Sequence, residues 1–254
     1  MNQIERIVDL IARKENFCLA TVIASSNPDA PAGTKAIVLV DGTMEGSVGP
    51  AHMDRALQTL AMQALADGQK HAVQLAEGFR VFLDLPPADL KLLICGAGHI
   101  AVPLARFARE AGFSVTVLDD RADFAHPSRF PGCEVIAEDF TTALRKMSLD
   151  PAAYVVVITR GHEHDAQCLT EILPKVTAYV GLIGSRRRGR FVLEALGRKG
   201  IPAGRLGEVF TPIGLPIGAE SPEEIALSIA AELVCMRRKG ALTARALRSL
   251  EAGK

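Results

Sequence analysis

Hydrophobic and polar positions follow one pattern in the first third of the chain and another in the rest. Ile4, Ile7, Val8 and Ile11 recur at i, i+3, i+4 and i+7, which predicts an amphipathic helix over 2–14. The β-rich run FCLATVIA predicts a strand over 17–24, and AIVLV a second over 36–40 with Asp41-Gly42 as a turn after it. Between them 25–33 reads as loop from its Pro, Asn and Gly content. Leu57, Leu60, Ala61, Ala64 and Leu65 mark a second helix, with Pro50 suited to its first turn and Gly68 to its end. FRVFLDL, at 79–85, reads as a further strand. These elements predict a small α+β region.

From Lys91 onward short apolar runs alternate with helical stretches. Strands are predicted at 91–95, 114–118, 134–137, 154–158 and 179–183, with a weaker one at 208–210. Helices are predicted at 99–111, 140–147, 165–173 and 186–199. The last helix starts at Ser221, with Pro222 in its first position and Glu224 completing a capping box. Ile225, Ile229 and Leu233 form its apolar stripe, interrupted by the polar Glu232. Such alternation predicts βαβ units and a doubly wound parallel sheet covered on both faces. The connector Leu85-Pro86-Pro87-Ala88-Asp89 separates the two patterns, so the expected domains are 1–88, α+β, and 89–254, α/β.

Composition narrows the function classes. Lys+Arg and Asp+Glu are both 29, so the formal net charge is zero, and the electrostatic footprint of a nucleic-acid partner is missing. Trp is absent and Tyr numbers two, which disfavours base-stacking platforms. No apolar run approaches the roughly 18 residues of a membrane span. The start MNQIERIVDL lacks the apolar core of a signal peptide. Five well-separated cysteines without a C-x-x-C fit neither a disulfide framework nor a zinc knuckle, and a reducing cytoplasm is the expected compartment.

The chemistry concentrates after the predicted strands. Gly96-Ala97-Gly98-His99-Ile100-Ala101 is G-x-G-x-x-A; it follows a strand, opens a helix, and is followed by Asp119 at the end of the next strand. In that context it is a dinucleotide fingerprint. Gly96 permits the turn, Gly98 admits a phosphate close to the backbone, Ala101 allows close helix–strand packing, and Asp119 offers acceptors to a ribose. Arg121 either meets a 2′-phosphate or sits on the surface. In the strand order 3-2-1-4-5-6 the first and fourth strands flank the switch point. The predicted loop Thr159–Asp165 then faces the glycine loop, bringing Arg160, His162, His164 and Asp165. Ser185 and the run Arg186–Arg188 follow the fifth strand, where guanidinium groups suit phosphate. His162, His164 and Asp165 supply too few ligands for a closed metal site, so no metal is expected.

The segments KLLICGAGHIA, VLDDRADFAHPSRFP, TRGHEHD, YVGLIGSRRR and TPIGLPIGAESPEEIALSIAAEL occur in order from Lys91 to Arg238. Together they resemble the C-terminal, Rossmann-like domain of the xanthine dehydrogenase accessory protein family, XdhC/CoxI. Gly33–Ala36 and Asp41–Gly49 resemble that family's first domain more loosely. The resemblance implies a chaperone that binds molybdenum cofactor, as molybdopterin or its dinucleotide form, and helps insert it into a molybdenum hydroxylase such as xanthine dehydrogenase. One segment departs from the family: where its first domain has a glycine triplet or Gly-Gly-Cys followed by Glu, this chain has Gly49-Pro50-Ala51-His52-Met53-Asp54.

The expected cofactor-binding set is therefore Gly96, Gly98, His99, Asp119, Arg121, Arg160, His162, Asp165, Ser185 and Arg186. An NAD(P)-dependent oxidoreductase and a non-catalytic nucleotide-sensing module are the alternatives. A homodimer is the default expectation for an oligomer.

Overall fold

The computed structural model describes residues 2–13, 15–25, 27–85, 90–149 and 151–249. The chain divides into two compact units, Met1–Ala88 and Asp89–Lys254. The expected connector at Pro86–Asp89 lies outside the described residues.

The first unit runs α1 (Gln3–Ala12), β1 (Phe17–Ala24), β2 (Lys35–Leu39), β3 (Met44–Gly46), α2 (Ala51–Asp67), β4 (His71–Ala76) and β5 (Phe79–Asp84). Its strands form an antiparallel sheet in the order β3-β2-β1-β5-β4. Val22, Val38, Val81 and Leu83 meet Leu57, Ala61 and Ala64 of α2 in one core. Gly68 ends α2 in the left-handed conformation, at φ 65°. Two edge strands, β3 and β4, have no counterpart in the sequence pattern. β3 is three residues long, and β4 buries no residue fully, with only Val73 and Leu75 partly buried.

The α1 stripe is a correction. Leu10, outside the predicted stripe, is the residue α1 buries fully, against Phe17 and Ile37 with Ile7 beside it. Ile4, Val8 and Ile11 are exposed. Periodicity identifies a helix and its faces; which face meets the sheet is decided by tertiary packing.

The second unit runs β6 (Leu90–Cys95), α3 (Ala101–Glu110), β7 (Phe113–Asp119), β8 (Glu134–Ala137), α4 (Phe140–Lys146), β9 (Tyr154–Val157), α5 (His162–Ile172), β10 (Tyr179–Leu182), α6 (Arg186–Arg198), α7 (Ala203–Glu208) and α8 (Pro222–Ser249). All its strand pairs are parallel, in the order β10-β9-β6-β7-β8. This is the doubly wound arrangement, with β6 and β9 flanking the switch point. Both faces are apolar. Leu92, Ile94 and Val117 pack towards α3 and α8, while Leu93, Cys95 and Val157 pack towards α4, α5 and α6.

The sixth predicted strand reduces to a single parallel bridge from Gly181 to Phe210. Glu208 belongs to α7, and Pro212 has no N–H with which to extend the pairing. The predicted capping box of α8 is present, with Glu224 N–H donating to Ser221 Oγ at 3.3 Å and Ser221 N–H to Glu224 Oε2 at 3.0 Å. All five cysteines are free thiols. Among the described residues no helix is long and apolar enough to cross a membrane.

Candidate functional site

The glycine loop leaves β6 between β7 and β9. Gly96, at φ 111°, donates its N–H to the Leu118 carbonyl at 2.7 Å. A β-carbon on it would lie 2.5 Å from the Ile158 carbonyl oxygen, so only glycine fits. Gly98 is the opposite case: a β-carbon there would meet nothing within 4 Å. Ala101 is fully buried at the start of α3, as its place in the fingerprint requires.

Two side chains hold the loop in shape. Asp119 is buried and accepts from the Ala97 N–H at 2.7 Å. Arg129 donates from Nη1 to the Ala97 carbonyl at 2.8 Å and to the Phe124 carbonyl at 2.6 Å. Arg129 makes no ion pair among the described residues; its guanidinium lies 5.2 Å from the centre of the Phe124 ring and 5.4 Å from that of Phe130.

Asp119 does something other than offer acceptors to a ribose. Its Oδ1 takes the Arg121 N–H at 3.0 Å and Arg121 Nε at 2.8 Å; its Oδ2 takes Ala97 N–H and Arg121 Nη2 at 2.9 Å. All four acceptor positions of the carboxylate are filled. Burial pushes its pKa up, but hydrogen bonds from Arg121 and Ala97 outweigh that and hold it below its ordinary value. Arg121 is locked in turn, with its guanidinium 3.7 Å from the centre of the Phe124 ring.

Asp120, the residue after Asp119, pairs with Arg160 from the β9–α5 connection, Nη2 to Oδ2 at 2.8 Å and Nη1 to Oδ1. These hydrogen bonds hold the Asp120 carboxyl at about 2. His99 is exposed on the glycine loop itself.

The expected loop Thr159–Asp165 is shorter than its sequence suggests, because α5 begins at His162. Gly161 is its N-cap, and Glu163 and Asp165 complement the positive helix end. His162 lies edge-on to Phe191, 6.0 Å between ring centres, in a groove of about 360 Å³ also lined by Ala166, Val192 and Lys199. That groove includes no residue of the glycine loop. His164 bonds Gln167 through Nδ1 at 3.0 Å.

Asp165 is fully buried, so it pins the scaffold instead of facing a ligand. It accepts from Thr159 Oγ1 at 2.5 Å and pairs with Arg188. Burial raises its pKa despite those partners. Ser185 caps α6, accepting from the Arg188 N–H at 3.2 Å. Arg186 is exposed and makes no ion pair among the described residues. Among them, too, no cluster of three or more His, Cys, Asp or Glu is placed to hold a metal ion.

The structure thus gathers Gly96, Gly98, His99, Asp119, Arg121 and Arg160 around one loop. It sets His162 in the α5–α6 groove and Asp165 in the interior. Two members of the loop's surroundings, Asp120 and Arg129, are absent from the expected set. The signal for Arg129 was its place in the Arg129-Phe130-Pro131 segment, and for Asp120 its adjacency to Asp119.

Of the helices that open on this edge, α5 carries two acids in its first turn and α6 is capped by Ser185. Only α3 has neither a side-chain cap nor an acid there. Its N-terminus is the one left to favour an anion. In the first unit, Asp54 stands where the family pattern has Glu. It accepts from the Val48 N–H at 2.9 Å and from Ser47 Oγ at 2.8 Å, clasping the turn into α2, and His52 is exposed.

A braced glycine loop at the switch point of a doubly wound sheet places this unit among Rossmann-type domains. The chain belongs to the XdhC and CoxI family. The family model described as the XdhC Rossmann domain matches residues 92–233, and that of the XdhC and CoxI family matches 10–76. A Bacillus subtilis protein named as a probable xanthine dehydrogenase subunit is 35% identical over 153 residues, covering 60% of this chain and 44% of that one. "Uncharacterized protein YqeB" of Escherichia coli is 26% identical over 234 residues, covering 86% of this chain and 43% of that one. This chain therefore spans less than half the length of these curated relatives. A crystal structure of a Bacillus halodurans protein described as a xanthine dehydrogenase matches with a TM-score of 0.71 at 24% identity, over 99% of this chain and 69% of that one, a likeness of fold.

Proposed function

We propose that this chain is an accessory protein of a xanthine-dehydrogenase-type molybdenum hydroxylase, and that it holds molybdenum cofactor at the carboxyl edge of its parallel sheet. Family membership and the name of the Bacillus subtilis relative support the accessory role. The observation that carries the binding role is the glycine loop: backbone fixed by Asp119 and Arg129, open space above Gly98, and an uncapped helix behind it.

Molybdopterin ends in a phosphate and its dinucleotide form contains a pyrophosphate, and either group fits an anion cradle of this kind. The backbone from Gly98 to Ile100 and the N-terminus of α3 would hold the phosphate, with Arg160, paired to Asp120 next to the loop's anchor Asp119, as the cation at its edge. When bound, the cofactor supplies the redox centre required by the recipient enzyme. The residues of this chain supply retention and orientation. The oxidoreductase reading is weaker, since the carboxylate that would take a ribose is already filled by Ala97 and Arg121.

Two measurements test the proposal: cofactor binding by the purified chain, and hydroxylase activity in cells lacking it. Full hydroxylase activity without this chain, or no cofactor binding, refutes it.

A further inference from the structure

Asp120 follows the last residue of β7, and Arg160 lies three residues past β9, with β6 between those two strands. The glycine loop emerges from β6 and is held on one side by Leu118 and Asp119 and on the other by Ile158. The Arg160 guanidinium therefore reaches from the β9 side to the β7 side to grip Asp120, and its Nη1 also comes within 4.0 Å of Asp119 Oδ1. The ion pair spans the strand from which the loop departs.

Both partners remain accessible to water, the Arg160 side chain 39% exposed and Asp120 26%. Such a pair is exchangeable. A phosphoryl group offers a guanidinium fork the same two-oxygen edge as a carboxylate, so one can replace the other on Arg160. Arg121 has no such freedom, because its donors go to the buried Asp119 and its face lies on Phe124.

We propose that Asp120 is the resting partner of Arg160, occupying its guanidinium until a phosphoryl group on the glycine loop takes it. Asp120 then sets the affinity of the site and favours charged phosphoryl groups over neutral ligands, since a neutral ligand cannot draw Arg160 away. This inference rests on the reading of the glycine loop as an anion cradle.

The test is calorimetric titration of inorganic pyrophosphate into the full chain and into Asp120→Asn, Asp120→Ser, Arg160→Gln and the Asp120→Asn/Arg160→Gln double variant, each checked for folding by circular dichroism. Freeing Arg160 from an exposed pair is expected to tighten binding in both Asp120 variants by roughly fivefold. Arg160→Gln is expected to weaken binding, and the double variant to follow it. Binding by the unaltered chain that Asp120→Asn and Asp120→Ser leave unchanged or weaker overturns the role of Asp120 while the cradle stands. Absence of binding in every folded variant and in the unaltered chain overturns both.

Discussion

Gly96 and Ile158 meet backbone to backbone: the β-carbon of any other residue at 96 would lie 2.5 Å from the Ile158 carbonyl oxygen and 2.8 Å from its carbon. The contact fastens the glycine loop to the end of β9. Gly98, two residues on, faces open space. The two glycines therefore separate stability from binding. Gly96→Ala combines a clash with a strained φ and is expected to cost roughly 2–4 kcal/mol. Gly98→Val is expected to fold within about 1 kcal/mol of the unaltered chain, yet to lose ligand affinity because its methyl groups fill the cradle. Chemical denaturation and ligand titration of both variants check this. Undiminished affinity in folded Gly98→Val removes the loop from the site.

Acid should loosen the Asp120–Arg160 pair with a definite sign. Arg160 lowers the Asp120 carboxyl from its ordinary 3.8 to about 2. A depressed folded pKa contributes stability that is complete above the unfolded value and is lost as pH falls through the folded one. The window is therefore from about pH 4 down to about pH 2. Asp119, also lowered, acts in the same direction. Acid-unfolding curves at low ionic strength are expected to be shallower for Asp120→Asn across that window, and the difference should shrink in salt. Identical curves would show that the pair adds nothing to folding.

The glycine loop is legible in sequence because its chemistry is local: a strand, two glycines and a helix start occupy consecutive positions. The role of Asp119 is not. A carboxylate ending the second strand can face a ribose or its own loop, and here Arg121 and the Ala97 N–H decide for the loop. His162 and Asp165 sit in one short motif, yet helix α5 starts at His162 and turns the first into a groove and the second into the core. Spacing alone also left open which face of α1 is buried. Strands β6, β9 and β10 were readable because strands covered on both faces carry near-continuous apolar runs. The edge strand β4 has no such face.

Asp165 and Arg188 should behave as an asymmetric pair. Asp165 is a buried carboxylate whose remaining side-chain partner is Thr159. Arg188→Met leaves that charge buried without its cation. Because Arg188 is about one-third exposed, the expected cost at neutral pH is moderate, roughly 1–3 kcal/mol. Burial already raises the Asp165 pKa, and losing Arg188 raises it further. A raised carboxyl pKa makes stability fall as pH rises through the window, so the deficit of Arg188→Met should be greatest near neutrality and diminish towards about pH 4. Adding Asp165→Asn should recover part of it. A deficit independent of pH would mean that packing, and not the charge, is what Arg188 supplies.

Glu232 interrupts the apolar stripe of α8 because it anchors the segment that follows β10. It is fully buried, and its Oε1 accepts from the Tyr179 hydroxyl and from the Gly214 N–H, the latter at 3.1 Å; Arg248 Nε lies 3.4 Å from Oε2. Burial pushes the Tyr179 pKa well above its ordinary value and the Glu232 charge adds to that, so the hydroxyl remains a donor. Tyr179→Phe keeps the ring against Phe210 and Tyr154 but removes that donor from a buried carboxylate. The expected loss is about 1–3 kcal/mol by urea denaturation. Amide exchange at Gly214 should quicken in the same variant, because its acceptor is then less firmly held. Unchanged stability together with unchanged exchange would mean that Arg248 and Gly214 hold Glu232 without the tyrosine.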